Sequence, residues 1–153
     1  MKDIVSEIRT LAESRDYHFF YGPRAILNIQ YSYDDFSDGS KIFALFPVVR
    51  RSNTIYNSII GSWSTELTFL IGRKFDSDQV FGSDQIASLD EFYIQKYYRR
   101  LIELTEDVNT FINMLVCQTG YSVVSISIRD QVNDSSENID FVRCDITLEY
   151  DDE

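Results

Sequence analysis

The sequence predicts an α+β fold in which helices pack on a mainly antiparallel sheet, and three observations carry that expectation. One long stretch, Ser88 to Gln118, keeps a helical period: Tyr93, Tyr97, Leu101, Leu104, Val108, Phe111 and Leu115 recur every three or four residues, which stacks them along one face of a helix. Several shorter stretches alternate apolar and polar residues with the period of two that a half-buried strand requires. The signals run helix, three strands, long helix, two strands, so strands follow one another directly and the helices gather on the sheet. A chain of 153 residues suffices for one domain over residues 1–153 that buries about two-thirds of its unfolded surface.

Taken in order, Asp3 to Ser14 places Ile4, Val5, Ile8, Leu11 and Ala12 on one side and Glu7, Arg9 and Glu13 on the other, the pattern of a short amphipathic helix. Tyr17 to Tyr21 is an aromatic run that Gly22-Pro23 breaks. From Arg24 to Tyr33 the alternation of Leu27, Ile29, Tyr31 and Tyr33 with polar neighbours predicts the first strand, and Asp34 to Gly39 the hairpin turn after it. The second strand, Lys41 to Arg51, is apolar on both faces and so is central or covered twice. Pro47 within it lacks an N–H and marks a bulge or an edge. Ser52 to Ser62 is polar and turn-prone, yet it carries Ile55, Tyr56, Ile59 and Ile60, which a monomer would leave exposed at a cost. The third strand, Trp63 to Lys74, turns Trp63, Thr65, Leu67, Phe69 and Ile71 to one side, and Phe75 to Ala87 is a loop.

Ser88 and Glu91 have capping-box spacing at the start of the long helix, and Gly120 offers its stop. At ~1.5 Å per residue the helix would reach roughly 45 Å, more than a small core needs. Tyr121 to Arg129 predicts a strand with Val124, Ile126 and Ile128 on one face, and Asp130 to Asn138 a polar turn. The last strand sets Val142, Cys144, Ile146, Leu148 and Tyr150 against Arg143, Asp145, Thr147 and Glu149, ahead of an acidic tail, Asp151 to Glu153.

The formal charge of −11 argues against wrapping nucleic acid, which is gripped through Lys and Arg. Ten Tyr and eleven Phe favour sheet faces and interfaces. Two cysteines, Cys117 and Cys144, are too few for a disulfide scaffold and read as free core thiols made in a reducing compartment. No run approaches ~18 apolar residues and no basic-then-apolar leader opens the chain, so a soluble protein with no membrane partner is expected.

Catalytic patterns fail one by one. The glycines stand singly, so no phosphate-cradling loop is expected. His18 is the sole histidine and there is no Gly-x-Ser-x-Gly elbow. In the turn of Asp34, Asp35, Asp38 and Gly39 the glycine suits a calcium loop, but Phe36 and Leu45 occupy ligand positions. Asp90, Glu91, Glu103, Glu106 and Asp107 on the long helix lack a Glu-x-x-His partner, and Glu103 is expected to pair with Arg99 or Arg100. No enzyme activity, metal or cofactor is therefore expected. The basic residues Lys96, Arg99 and Arg100, with Arg50, Arg51, Arg73 and Lys74, form a minority on an acidic chain and are read as salt-bridge partners between subunits.

The order of elements, the abundance of Tyr and Phe, the Asp- and Asn-rich turns and runs such as Tyr31-Ser32-Tyr33-Asp34-Asp35 and Ile126-Ser127-Ile128-Arg129-Asp130 resemble the tail-terminator and neck-ring (head-tail connector) proteins of tailed bacteriophages. The style is similar to structural proteins of crAss-like phages. That resemblance implies a homo-oligomeric ring of six or twelve copies between portal or connector and tail proteins, with DNA passing through it and no sequence-specific contact. It also implies a place in the virion neck or tail after synthesis in the bacterial host cytoplasm. The expected subunit-contact residues are Arg50, Arg51, Ile55, Tyr56, Ile59, Ile60, Phe75, Lys96, Arg99 and Arg100. A second reading is a small cytoplasmic adaptor that binds a protein partner without catalysis.

Overall fold

Asp3 accepts a hydrogen bond from the Ser6 N–H at 3.1 Å and so caps helix α1 (Ile4–Ser14), as the amphipathic pattern predicts. In the computed structural model, which describes residues 3–37, 39–52, 62–74, 100–131 and 139–151, the chain then turns through Asp16 at a φ of 65°. It continues into β1 (Tyr17–Tyr21), α2 (Ala25–Tyr31), a 3-10 turn (Tyr33–Asp35), β2 (Lys41–Leu45), β3 (Val49–Ser52) and β4 (Ser62–Lys74). Helix α3 (Ile102–Thr119), β5 (Ser122–Gln131) and β6 (Ile139–Asp151) complete the described elements.

The strands form a single sheet in the order β1-β2-β4-β6-β5, with β3 also paired to β4. The β1–β2 pair is parallel and every other ladder is antiparallel, so the fold is α+β with a mainly antiparallel sheet, as expected. The long ladder between β4 and β6, from Ser62↔Asp151 to Lys74↔Ile139, is its spine.

Two local expectations are corrected. The stretch Arg24 to Tyr33 is helix and 3-10 turn, not strand. Ala25 and Ile29, one helical turn apart, are its buried residues, while Leu27 and Tyr31 of the supposed strand face are exposed. Seven residues fit either period, and packing of Ala25 and Ile29 on the sheet decides between them. The aromatic run Tyr17–Tyr21, unassigned by pattern, supplies the missing strand beside β2. The second correction concerns Lys41 to Arg51, which is two strands. Both line the same side of β4, β2 opposite Phe69–Arg73 and β3 opposite Trp63–Glu66. The break falls at Phe46-Pro47-Val48, where proline removes a ladder donor.

On one face of the sheet α1 and α3 bury Ile4, Ile8, Leu104, Val108, Phe111 and Leu115 against β2, β4 and β6. Phe43 lies at the centre, its ring 5.0 Å from Phe69 and 4.7 Å from Phe111. On the other face α2 and Phe36 cover Ile42, Ala44, Leu70 and Phe141. Gly72 pairs with Phe141, and a Cβ there would collide with the Phe141 ring, which explains a glycine inside a central strand.

Gly120 ends α3 as predicted, at a φ of 74° and with its N–H on the Val116 carbonyl. The expected first part of that helix, including Ser88, Glu91, Tyr93 and Tyr97, lies outside the described residues. No helix among the described residues is long and apolar enough to cross a membrane.

Candidate interaction surface

The basic residues that the sequence offers as contacts between subunits are largely engaged within the chain. Arg73, near the end of β4, grips Asp107 on α3 with Nε at 3.0 Å and Nη2 at 2.8 Å, and reaches Glu103 with Nη1 at 2.6 Å. A planar guanidinium forked onto carboxylates fixes both distance and orientation, so this pair sets how α3 sits on the sheet. Glu103 thus pairs with Arg73, and Arg99, one of its expected partners, lies outside the described residues. Lys74 Nζ donates to the Phe36 carbonyl at 2.8 Å.

Arg100 is the clearest correction. Expected as a salt-bridge partner between subunits, it is buried, with Nη1 3.1 Å from Asp140 Oδ2 and both side chains 1% exposed. An arginine can enter a core because a carboxylate on the facing strand meets it there. The sequence carries no helical-spacing signal for Asp140, which is 40 residues away; its position one step before the apolar alternation of β6 is the only hint.

Arg51 meets Glu66 at 3.5 Å with both side chains well exposed, a pairing of little net energy. Arg50, the neighbouring residue in β3, is half-buried and opposite Thr65. The remaining expected contacts, Ile55, Tyr56, Ile59, Ile60, Phe75, Lys96 and Arg99, lie outside the described residues.

The surface that stands out instead is β5, which sequence reasoning placed in the sheet but not at its rim. Among the described strands it is the outermost, beside β6, and Val123, Val124 and Ile126 are 41%, 55% and 45% exposed. The register shifts between Val123 and Ser125, so Val123 rather than Val124 lines up with Ile126 and Ile128, opposite Leu148, Ile146 and Cys144. An irregular ladder of this kind bends the strand and re-aims its side chains.

The opposite face at this end of the sheet is hydrophilic. Thr68 Oγ1 donates to Asp145 Oδ1 at 2.6 Å, and Arg143 donates to both oxygens of Asp145 at 3.1 and 3.2 Å. Partial desolvation raises the Asp145 pKa, but the hydrogen bonds from Arg143 and Thr68 outweigh it and hold the carboxyl below its usual value. Ser125 and Ser127 of β5 pair with Thr147 and Asp145 on this face.

No group of three or more His, Cys, Asp or Glu able to hold a metal occurs among the described residues. Asp34 and Asp35 are exposed in the 3-10 turn, and His18 packs its ring 5.0 Å from Phe36. Of the two thiols expected in the core only Cys144 is buried, whereas Cys117 is exposed near the end of α3; burial, reinforced by Asp145, pushes the Cys144 thiol up to about 12, which leaves it a poor nucleophile. No protein-family model and no curated protein matches the chain.

Proposed function

We propose that this chain is a non-catalytic assembly subunit that joins copies of itself through the β5 edge, and that the assembly is a ring in the neck or tail of a phage virion, of the tail-terminator or head-tail connector kind. The observation that carries self-association is the exposure of Val123 and Ile126, which share a face, and of the neighbouring Val124 on the outermost of the described strands. Burying apolar surface is favourable by about 25 cal/mol per Å², and a sheet edge presents backbone donors and acceptors ready to pair. β5 contains no proline or lysine, and the charges that would blunt such an edge, Arg129 and Asp130, are gathered near its far end from Val123, Val124 and Ile126.

The ring is supported by the resemblance in element order and composition, and requires β5 of one copy to meet a different surface of the next, since a head-to-tail contact that closes gives a cyclic assembly whereas β5 against β5 gives a two-fold dimer. A net charge of −11 suits a lumen along which DNA slides without sticking. A small adaptor using the same edge for a different protein is the alternative.

Light scattering and electron microscopy of the purified chain test the reading, alongside the Ile126→Lys variant. Rings in the parent that dissociate to folded monomers in the variant support it. A parent that remains monomeric at every concentration overturns self-assembly and favours the adaptor.

A further inference from the structure

Where α1 ends and β1 begins, a cleft of about 290 Å³ opens between Arg15, Tyr17, Lys41 of β2 and the Asp107–Met114 segment of α3. Its two cations differ from the others described above. Arg73 and Arg100 face carboxylates, whereas Arg15 reaches across the cleft and donates from Nε and Nη2 to the Met114 sulfur at 3.2 and 3.0 Å. A thioether is a weak acceptor for a guanidinium that carries five donors. Lys41 holds its ammonium 5.3 Å above the Tyr17 ring, a cation–π contact that leaves its three N–H donors for other partners.

The lining also contains Asp16 and Asp107. The formal charges of the lining therefore balance, but Asp107 is already forked by Arg73, whereas Arg15 meets a thioether and Lys41 an aromatic ring.

We propose that this cleft binds a small oxyanion, a carboxylate or phosphate group on a compact molecule, with Arg15 exchanging the Met114 sulfur for two anionic oxygens and Lys41 supplying a second charged contact. The planar fork of arginine matches the spacing of two oxygens on either group. Burial, then the nearby Asp107, raises the Tyr17 phenol to about 12, so it stays protonated at neutral pH and is available as a further donor. A volume of this size lies at the small end of ligand sites, roughly 300–1,000 Å³, and Phe111 and Met114 offer an apolar wall to the body of the ligand.

The inference is independent of self-assembly and is tested on the whole chain by amide chemical shifts. Inorganic phosphate and succinate are titrated separately at constant ionic strength, with chloride as the control. Saturable shifts confined to residues 14–17, 41 and 107–114 are expected with at least one probe. Phosphate alone identifies a tetrahedral ligand group, and succinate alone a carboxylate. Arg15→Gln with Lys41→Gln should weaken binding at least tenfold, whereas Arg24→Gln, an exposed cation outside the cleft, should not. Arg15→Gln by itself, on an exposed turn, gives a second variant should the pair perturb folding. No saturable shift with either probe, or shifts that survive loss of Arg15 and Lys41, overturn the proposal.

Discussion

Ile126 of β5 and Ile146 of β6 stand directly opposite each other in the ladder, carry the same side chain and belong to the same face, yet one is 45% exposed and the other 2%. Both strands alternate apolar and polar residues over most of their length. The difference is position: β6 lies between β4 and β5 under the helices, whereas β5 is the rim of the described strands. Alternation therefore reports the period of a strand and which side is apolar, but not whether anything covers that side. At β6 the cover is α1 and α3; at β5 we propose that it is another copy of the chain.

The largest test of this contrast lies at the buried end of β6. Asp140→Ala leaves the Arg100 charge in the core without this carboxylate, a change that typically costs about 3–5 kcal/mol. Urea denaturation should show the midpoint fall accordingly, and a loss below about 1 kcal/mol would show that water reaches this end of the sheet. Because Arg100 sits in the core, reversing its charge disrupts folding and reports nothing about assembly.

The opposed isoleucines give the next step. Ile146→Ala should destabilise by roughly 2–5 kcal/mol, the range for truncating a large aliphatic in a packed core. Ile126→Ala in the monomer should cost less than about 1 kcal/mol, because water already reaches nearly half of the side chain. Near-equal losses at the two positions would break the comparison. If the exposed row is an interface, the Ile126→Ala penalty should grow with protein concentration, since binding stabilises the folded state by mass action.

These elements also show what was legible in the sequence. β6 could be read because one face is covered along its length, so Val142, Cys144, Ile146, Leu148 and Tyr150 are all buried. α1 and the described part of the long helix could be read for the same reason, and Gly120 marked the helix end. α2 could not, because seven residues satisfy both periods and the sheet surface beneath Ala25 and Ile29 decides. Asp140 was hidden because its partner is distant in sequence. Arg100 was misplaced because a charge at helical spacing reads as solvent-facing unless the facing strand is known. The exposure of β5 is a property of strand order, which no local window contains.

The smallest expected effect concerns the polar side of the same two strands, where Asp145 of β6 faces Ser127 of β5 and accepts from Thr68 and Arg143. Its carboxyl is held below its usual value, about 3.9 for a free aspartate, so its contribution to stability is fully present above that value and is lost as pH falls through the lowered, folded-state pKa. Thr68→Val removes one donor while keeping the branched shape, and the Asp145 pKa should rise toward its ordinary value. The variant should be less stable than the parent above about pH 4, by on the order of 1 kcal/mol or less since the side chain is 31% exposed. The gap should close at lower pH, where Asp145 is protonated in both. A gap that instead widens below pH 4 would mean that Thr68 acts through packing on the β4–β6 spine rather than through the Asp145 charge.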